Sequence, residues 1–506
     1  MNKNIHLLVI IIWALSMASC RQEPTLPQTY KYTKDSLKIF PDYKNIIVPP
    51  NIAPLNFQVE SNSKNILAEV CFGNQTVLIA ANSENEIQFD EKKWKDLLKQ
   101  EHGKGINIHI FAETENGWIR YPDFQIKVAQ EPIDPYVSYR LIEPGYELYR
   151  QMGLYQRNLE TFEETAIYEN NREQDVEHNH CVNCHNFQNY SCEKMLFHVR
   201  SKHGGTIICN GGKIEKLDLK NDSILGPSVY PSWHPQMNRI AFSSNMTGQS
   251  FHILDKEKVE VVDGESDLVY YNVETQSIKN ILKTKTDLET FPCWNPQGDK
   301  LYYCVAHVPQ LDSLSPNEGY LFFLNHYKEI KYNIMSLDFD KKKETFSNPQ
   351  LVEDCSLEGK SASVPRISPN GKYLLYTKGD YGQFHIWHKS SDLWIKNLEN
   401  NTSYPLTEAN SNDVDSYHSW SSNGRWIVFS SRRDDGNFTR LYIAYFDKRG
   451  QAHKAFMLPQ ESPHKNTLLL KSYNVPELTK DALKRNENDF KECIYKQNAK
   501  PVKYKQ

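Results

Sequence analysis

The chain has 506 residues, a formal charge of −4 and 39% hydrophobic residues. That length supports two or three cores, and the near-neutral balance gives no electrostatic basis for binding nucleic acid. Ten cysteines are scattered along the chain rather than regularly spaced, so they do not read as a disulfide framework.

The first residues read as a cleaved export signal, spanning 1–19. Lys3 gives a positive start, Leu7 to Leu15 is a short apolar run, and Met17-Ala18-Ser19-Cys20 ends it. The run is far shorter than the roughly 20 apolar residues of a spanning helix. A cysteine directly after small residues resembles the bacterial lipobox, which implies cleavage before Cys20 and lipidation of its thiol. Arg21 and Gln22 follow, without the aspartate that resembles an inner-membrane retention signal. The expected location is therefore the outer membrane, facing the periplasm or the surface. The expected partners are the membrane, through the anchor, and an envelope protein or glycan.

Residues 20–135 read as a small β-sandwich-like domain. Leu55-Asn56-Phe57-Gln58-Val59 and Ile106-Asn107-Ile108-His109-Ile110 alternate with the period of a half-buried strand. One amphipathic helix interrupts them, with Trp94, Leu97 and Leu98 on one face behind an Asp90 cap. Residues 136–180 form a connector rich in tyrosine, including Tyr136, Tyr139, Tyr146, Tyr149 and Tyr155. Those rings suit either stacking on sugars or packing between domains.

The second half carries four near copies of one turn phrase: Ser368-Pro369-Asn370-Gly371-Lys372, His234-Pro235-Gln236-Met237-Asn238, Asn295-Pro296-Gln297-Gly298-Asp299 and Ser421-Ser422-Asn423-Gly424-Arg425. An apolar anchor precedes each (Trp233, Trp294, Ile367, Trp420) and an aromatic follows each (Phe242, Tyr303, Tyr376, Phe429). Proline fixes φ and Gly or Asn accepts φ > 0, so each phrase is a tight hairpin turn. A fifth copy aligns Met195-Leu196-Phe197 with Ile240-Ala241-Phe242 and puts Gln188 at the anchor. A second recurring phrase, in Asp267-Leu268-Val269-Tyr270 and Asp392-Leu393-Trp394, reads as the strand closing each blade.

These phrases resemble the repeat of the TolB-like β-propellers. The resemblance implies an all-β fold, with a propeller of five or six blades over residues 181–475. Five blades can be counted, and a sixth would be completed by Leu468-Leu469-Leu470 or by connector residues. Residues 476–506 read as a polar C-terminal helix and tail, with Leu483, Phe490 and Cys493 as its buried candidates.

One stretch carries candidate chemistry: His178-Asn179-His180-Cys181-Val182-Asn183-Cys184-His185. Cys-x-x-Cys-His resembles the c-type haem attachment motif. That resemblance implies thioether bonds from Cys181 and Cys184 and His185 beneath the iron. Three alternatives stand beside it: a metal site, such as zinc, using His178 or His180 with the two thiols and Cys192; a Cys181–Cys184 disulfide; or ordinary thiols with no cofactor. The motif aligns with the loops entering the propeller channel, near His234 and His418. Some TolB-like propellers are metal-dependent lyases acting on acidic sugars, so a lyase or other sugar-acting enzyme using those channel-mouth histidines is the alternative function. The leading expectation is a non-catalytic binding or scaffold module of the cell envelope.

Overall fold

The computed structural model describes residues 23–143, 151–171, 180–252, 254–255, 257 and 259–505. Cys20 and His178 lie outside these, as do Tyr146 and Tyr149.

The N-terminal domain is two facing sheets. A seven-stranded sheet is built around Gly105–Thr114, Phe124–Val128 and Ile66–Phe72, and a three-stranded sheet comprises Ile39–Phe40, Phe57–Val59 and Glu86–Ile87. The alternation seen in the sequence puts Ile106, Ile108 and Ile110 inside, against the helix Glu91–Gln100. Asp90 caps that helix by accepting from the Lys93 backbone N–H, and Trp94, Leu97 and Leu98 are its buried residues. The same core continues through Val137 and Tyr139 into Trp426, Val428 and Ile443 of the propeller. The two parts therefore share one apolar interior, which is lost only if both come apart.

The remainder is a six-bladed β-propeller, each blade a four-stranded antiparallel unit. Blade 1 holds Tyr136–Ile142, Gly153–Asn158 and Glu164–Glu169, and takes its inner strand, Ser472–Thr479, from the other end of the chain. Blades 2 to 6 begin with the inner strands Cys181–Gln188, Ser228–Trp233, Asp287–Trp294, Ser361–Ile367 and Asp415–Trp420. Closing the ring with strands from both chain ends leaves no open inner edge between the first and last blades. The expected connector is thus largely blade 1: within its described residues the tyrosines sit on strands, with Tyr139 and Tyr155 buried and stacked in the core. The sixth blade comes from connector residues, not from Leu468-Leu469-Leu470, which precede the closing strand.

Two further expectations shift. The phrases at Asp267 and Asp392 lie on third strands, Val259–Asn272 and Asp392–Asn397, while Ser277–Leu282 and Thr402–Pro405 form the outer edges. The tail forms a helix only over Glu487–Lys496, which buries Phe490, Cys493 and Ile494 against blade 2. Beyond it, Lys500–Pro501 and Lys503–Tyr504 pair with the outer strands of blades 2 and 3.

Candidate functional site

Every inner strand is interrupted at the same place. A β-bulge breaks the register in all six. Its residue has positive φ: Cys184 at 50°, Tyr230 at 46°, Phe291 at 51°, Val364 at 51°, Tyr417 at 41° and Val475 at 49°. Positive φ on a bulky or β-branched residue is strained, by about 1–3 kcal/mol each, so six in register are a built feature of the fold. The next residue is Pro231, Pro292, Pro365 or Pro476 in four blades and His185 or His418 in the other two. Proline has no N–H to give to a ladder, which suits a bulge where the pairing is broken.

The six bulge residues converge on the channel axis. Together with Arg140 and His185 they line a cavity of about 60 Å³ that forms a narrow waist. Two positions beyond the bulge, the strands place Asn186, Ser232, Cys293, Arg366, Ser419 and Glu477 around a wider recess of about 380 Å³ at one mouth of the channel. Glu477 accepts from the Asn186 amide at 2.9 Å and from the Phe187 backbone N–H at 3.2 Å. Burial pushes its carboxyl up to about 7, against those hydrogen bonds and the Arg366 charge. Burial likewise raises the Cys293 thiol, with Arg366 opposing. Arg366 donates to the Pro365 carbonyl at 3.0 Å, and Tyr190 lies on the rim of the recess.

The haem-like motif is one copy of this repeated strand. Cys181, Val182 and Asn183 are laddered to Arg200, Val199 and His198, and Cys184–His185 occupies the bulge. Attachment through two thioethers needs the five residues to curl across one porphyrin face, with the histidine beneath the iron. Here Cys181–Asn183 run extended in the ladder and Cys184 turns in the bulge at φ 50°, Cys181 and Cys184 are buried, and the waist around Cys184 and His185 encloses about 60 Å³. Cofactor pockets are typically several hundred Å³. Folded this way, these residues do not fit a haem.

The anchor of blade 2 is Phe187 rather than Gln188. Phe187 pairs with Met195 as Trp233 pairs with Ile240, because the blade 2 turn holds one more residue and displaces the alignment by one. Cys184, not His185, is therefore the counterpart of Tyr230.

The metal candidates within the described residues do not converge either; His178 lies outside them. Among the described residues, no group of three ligand atoms within reach of one ion includes His180, Cys181, Cys184, His185 or Cys192. His180 Nε2 lies 2.6 Å from the Tyr168 hydroxyl. Cys192 sits at the start of the next strand, donating to the Asp481 carbonyl at 3.0 Å and accepting from the Gln156 amide at 3.2 Å. All nine described cysteines are free thiols, Cys181 and Cys184 included. His234 is spent on its turn: Nδ1 accepts from the Gln236 and Met237 N–H groups, and Nε2 donates to the Gly298 carbonyl at 2.8 Å. Gly298, at φ 71°, has no space for a Cβ because that imidazole would lie 2.4 Å from it. Burial drops His234 to about 4. His418 reaches the Leu375 carbonyl and the Thr377 hydroxyl at 3.3 and 3.4 Å. Burial and the Arg366 charge hold it near 3, and burial with the Arg140 charge does the same for His185.

Sequence reasoning singled out the histidines and missed Asn186, Cys293, Arg366 and Glu477. A signal was available: each mouth residue stands immediately after the Pro or His that follows a bulge residue. Aligning the six dipeptides Cys184-His185, Tyr230-Pro231, Phe291-Pro292, Val364-Pro365, Tyr417-His418 and Val475-Pro476 would have exposed that column.

No protein-family model matches the chain, and no curated protein matches it. Among solved structures it is similar to TolB from Acinetobacter baumannii, at 12% identity and a TM-score of 0.44, covering 77% of this chain and 85% of that one. It is also similar to an oligogalacturonate lyase in complex with manganese, at 10% identity and 0.36, covering 64% and 72%. The β-propeller domain of the trilobed protease from Pyrococcus furiosus matches at 9% identity and 0.33, covering 78% and 97%. The six-bladed architecture rests on the strand pairing described above.

Proposed function

We propose that the protein is a lipid-anchored binding module of the cell envelope, holding the end of a partner chain at the mouth of its propeller channel. The observation that carries this is the ring of Asn186, Ser232, Cys293, Arg366, Ser419 and Glu477 around a recess of about 380 Å³. A recess of that size admits a few residues or sugar units. Arg366 supplies a planar fork suited to a carboxylate. Asn186 and the two serines add neutral hydrogen-bonding groups, and Glu477, near 7, can either donate or accept. The preferred partner is therefore a protein or glycan end bearing a carboxylate.

The same residues support binding over turnover. A nucleophilic thiol needs a base or a lowered pKa. Cys293 is instead buried and raised, and the ring nitrogens of His234 and His418 are engaged within the blades. Among the described residues, no helix is long and apolar enough to cross a membrane, which is compatible with attachment through Cys20.

Two experiments test the reading. A photo-crosslinking residue at Tyr190, expressed in the native host, should trap a discrete partner, and Arg366→Glu should abolish the adduct while leaving the melting temperature within a few degrees. An adduct indifferent to Arg366→Glu removes the channel mouth as the binding site. Radioactive palmitate should label the wild type and not Cys20→Ala, and equal labelling removes the anchor.

A further inference from the structure

A second site of chemical interest lies on the N-terminal domain, far from the channel in sequence. Glu69 and Cys71 alternate on the outward face of Ile66–Phe72, and His109 stands directly opposite Glu69 on Gly105–Thr114. All three are half-buried, and one ligand atom from each lies within 4.8 Å of the others. Because both strands belong to the seven-stranded sheet, the backbone presets this spacing before any ligand arrives.

The local hydrogen bonding is in conflict. His109 Nδ1 lies 3.0 Å from a Glu69 carboxylate oxygen and 2.7 Å from Arg120 Nη2. One ring nitrogen cannot satisfy both. If it accepts from Arg120, its lone pair faces the carboxylate; if it donates to Glu69, its N–H faces a guanidinium. Arg120 has an alternative resting place, since the same Nη2 contacts both Asp123 oxygens at 2.9 Å. Asp123 also lies 3.9 Å from His109 Nε2, on the side where metal-bound histidines commonly face a carboxylate that fixes their tautomer.

We propose that Glu69, Cys71 and His109 bind one zinc ion, with water in the fourth position. Two ligand atoms 3.0 Å apart suit an ion lying about 2.0–2.1 Å from each. A thiolate with an imidazole and a carboxylate is a donor set that zinc accepts in tetrahedral geometry. On binding, the Cys71 S–H bond breaks and the Zn–S bond forms. The proton passes to solvent and hydration waters leave the ion. Nδ1 and the Glu69 oxygen then both act as lone-pair donors to the metal, which removes their conflict, and Arg120 withdraws to Asp123. With the thiolate formed, the two carboxylates, the guanidinium and the divalent ion sum to neutrality. Loading should tie two strands of the domain together without altering the channel.

The test exploits a selectivity in the chain. Cys71 is the one partly exposed thiol among the nine described cysteines, the rest being buried. In the native full-length protein, stripped of metal by chelation and dialysis, a disulfide reagent should modify one thiol rapidly, and Cys71→Ser should lose that phase. Adding zinc chloride should slow the phase at least tenfold at one equivalent and release one proton per ion, whereas magnesium chloride should do neither. Glu69→Gln and His109→Gln should each weaken zinc binding at least tenfold by calorimetry, with melting temperatures of the metal-free proteins unchanged. Two results overturn the proposal: zinc leaving the Cys71 rate unchanged, or protecting it equally in His109→Gln.

Discussion

The inner strands of blades 2 and 6 share one backbone trace and differ in side chains. Cys184 and Tyr417 both occupy the bulge at positive φ, 50° and 41°, and a buried histidine held near pKa 3 follows each. In blade 6, His418 is bonded to the Leu375 carbonyl and the Thr377 hydroxyl. In blade 2, the His185 ring faces the Ser138 and Val475 backbone, without a hydrogen bond of good geometry at either nitrogen. Four other blades fill the position with proline. The comparison teaches that Cys-x-x-Cys-His here is shaped by the repeat. Its second cysteine and its histidine stand where any blade needs a bulge residue and a residue able to forgo its ladder N–H.

The largest expected effect comes from the anchor three residues beyond the bulge. Trp420 is buried and donates its indole N–H to the Arg366 carbonyl of blade 5 at 3.1 Å. Trp420→Ala should cost about 3–5 kcal/mol in urea unfolding. Phe187→Ala should cost somewhat less, because Phe187 fills the equivalent place without that bond. A loss below about 1 kcal/mol at both would mean that the strands do not correspond.

The two histidines should separate more finely. His418→Phe removes the ring's bonds to the Leu375 carbonyl and the Thr377 hydroxyl and should cost about 1–2 kcal/mol at pH 7. His185→Phe removes only the ring's poorly aligned contacts with the Ser138 and Val475 backbone and should lie within about 0.5 kcal/mol of wild type, or stabilise. Their pH dependence should match. Both folded pKa values lie below the unfolded value, so the native state stays neutral while the unfolded chain takes up a proton as pH falls. The stability they contribute is full above about pH 6.5 and is lost progressively toward pH 3. Either Phe variant should therefore flatten the fall in stability between pH 6 and 4, by about 1.4 kcal/mol per pH unit as an upper limit. Chemical denaturation at three pH values measures this, and an unchanged slope would show that the ring is already solvated.

A smaller contrast lies at Asp263, buried behind the waist and bonded to Asn245 and Thr247. Burial lifts its carboxyl to about 7, so the native state holds a proton that the unfolded chain releases. Its contribution is present at low pH and is lost as pH rises from about 4 to 7, the reverse of the histidines. The melting temperature of Asp263→Asn relative to wild type should therefore improve between pH 5 and pH 8, by an amount corresponding to about 1 kcal/mol or more.

Much of the propeller was legible because each hairpin needs a turn with φ > 0, and Gly298, Gly371 and Gly424 mark three of them. The sandwich helix was legible for a similarly local reason, its Asp90 cap and apolar stripe. Blade 1 was not. Its turns lack the repeated phrase, and its inner strand, Ser472–Thr479, arrives from the far end of the chain, a pairing that no local pattern can encode. The mouth residues were obscured for another reason. Arg366 and Glu477 are the single charged residues of strands that share no repeated phrase, and only the register of six bulges brings them together. The haem-like motif stood out because cysteine is rare in the chain, while the proline at four equivalent positions was the quieter and better guide.

That guide makes the central claim directly testable with His185→Pro. Proline inside a strand ordinarily removes a ladder bond and costs about 3 kcal/mol or more. If Cys184–His185 is the bulge dipeptide of blade 2, position 185 already matches Pro231, Pro292, Pro365 and Pro476. The purified variant should then unfold cooperatively, with a free energy of unfolding at pH 7 within about 1 kcal/mol of wild type. A loss of about 3 kcal/mol or more, or failure to fold, would contradict it.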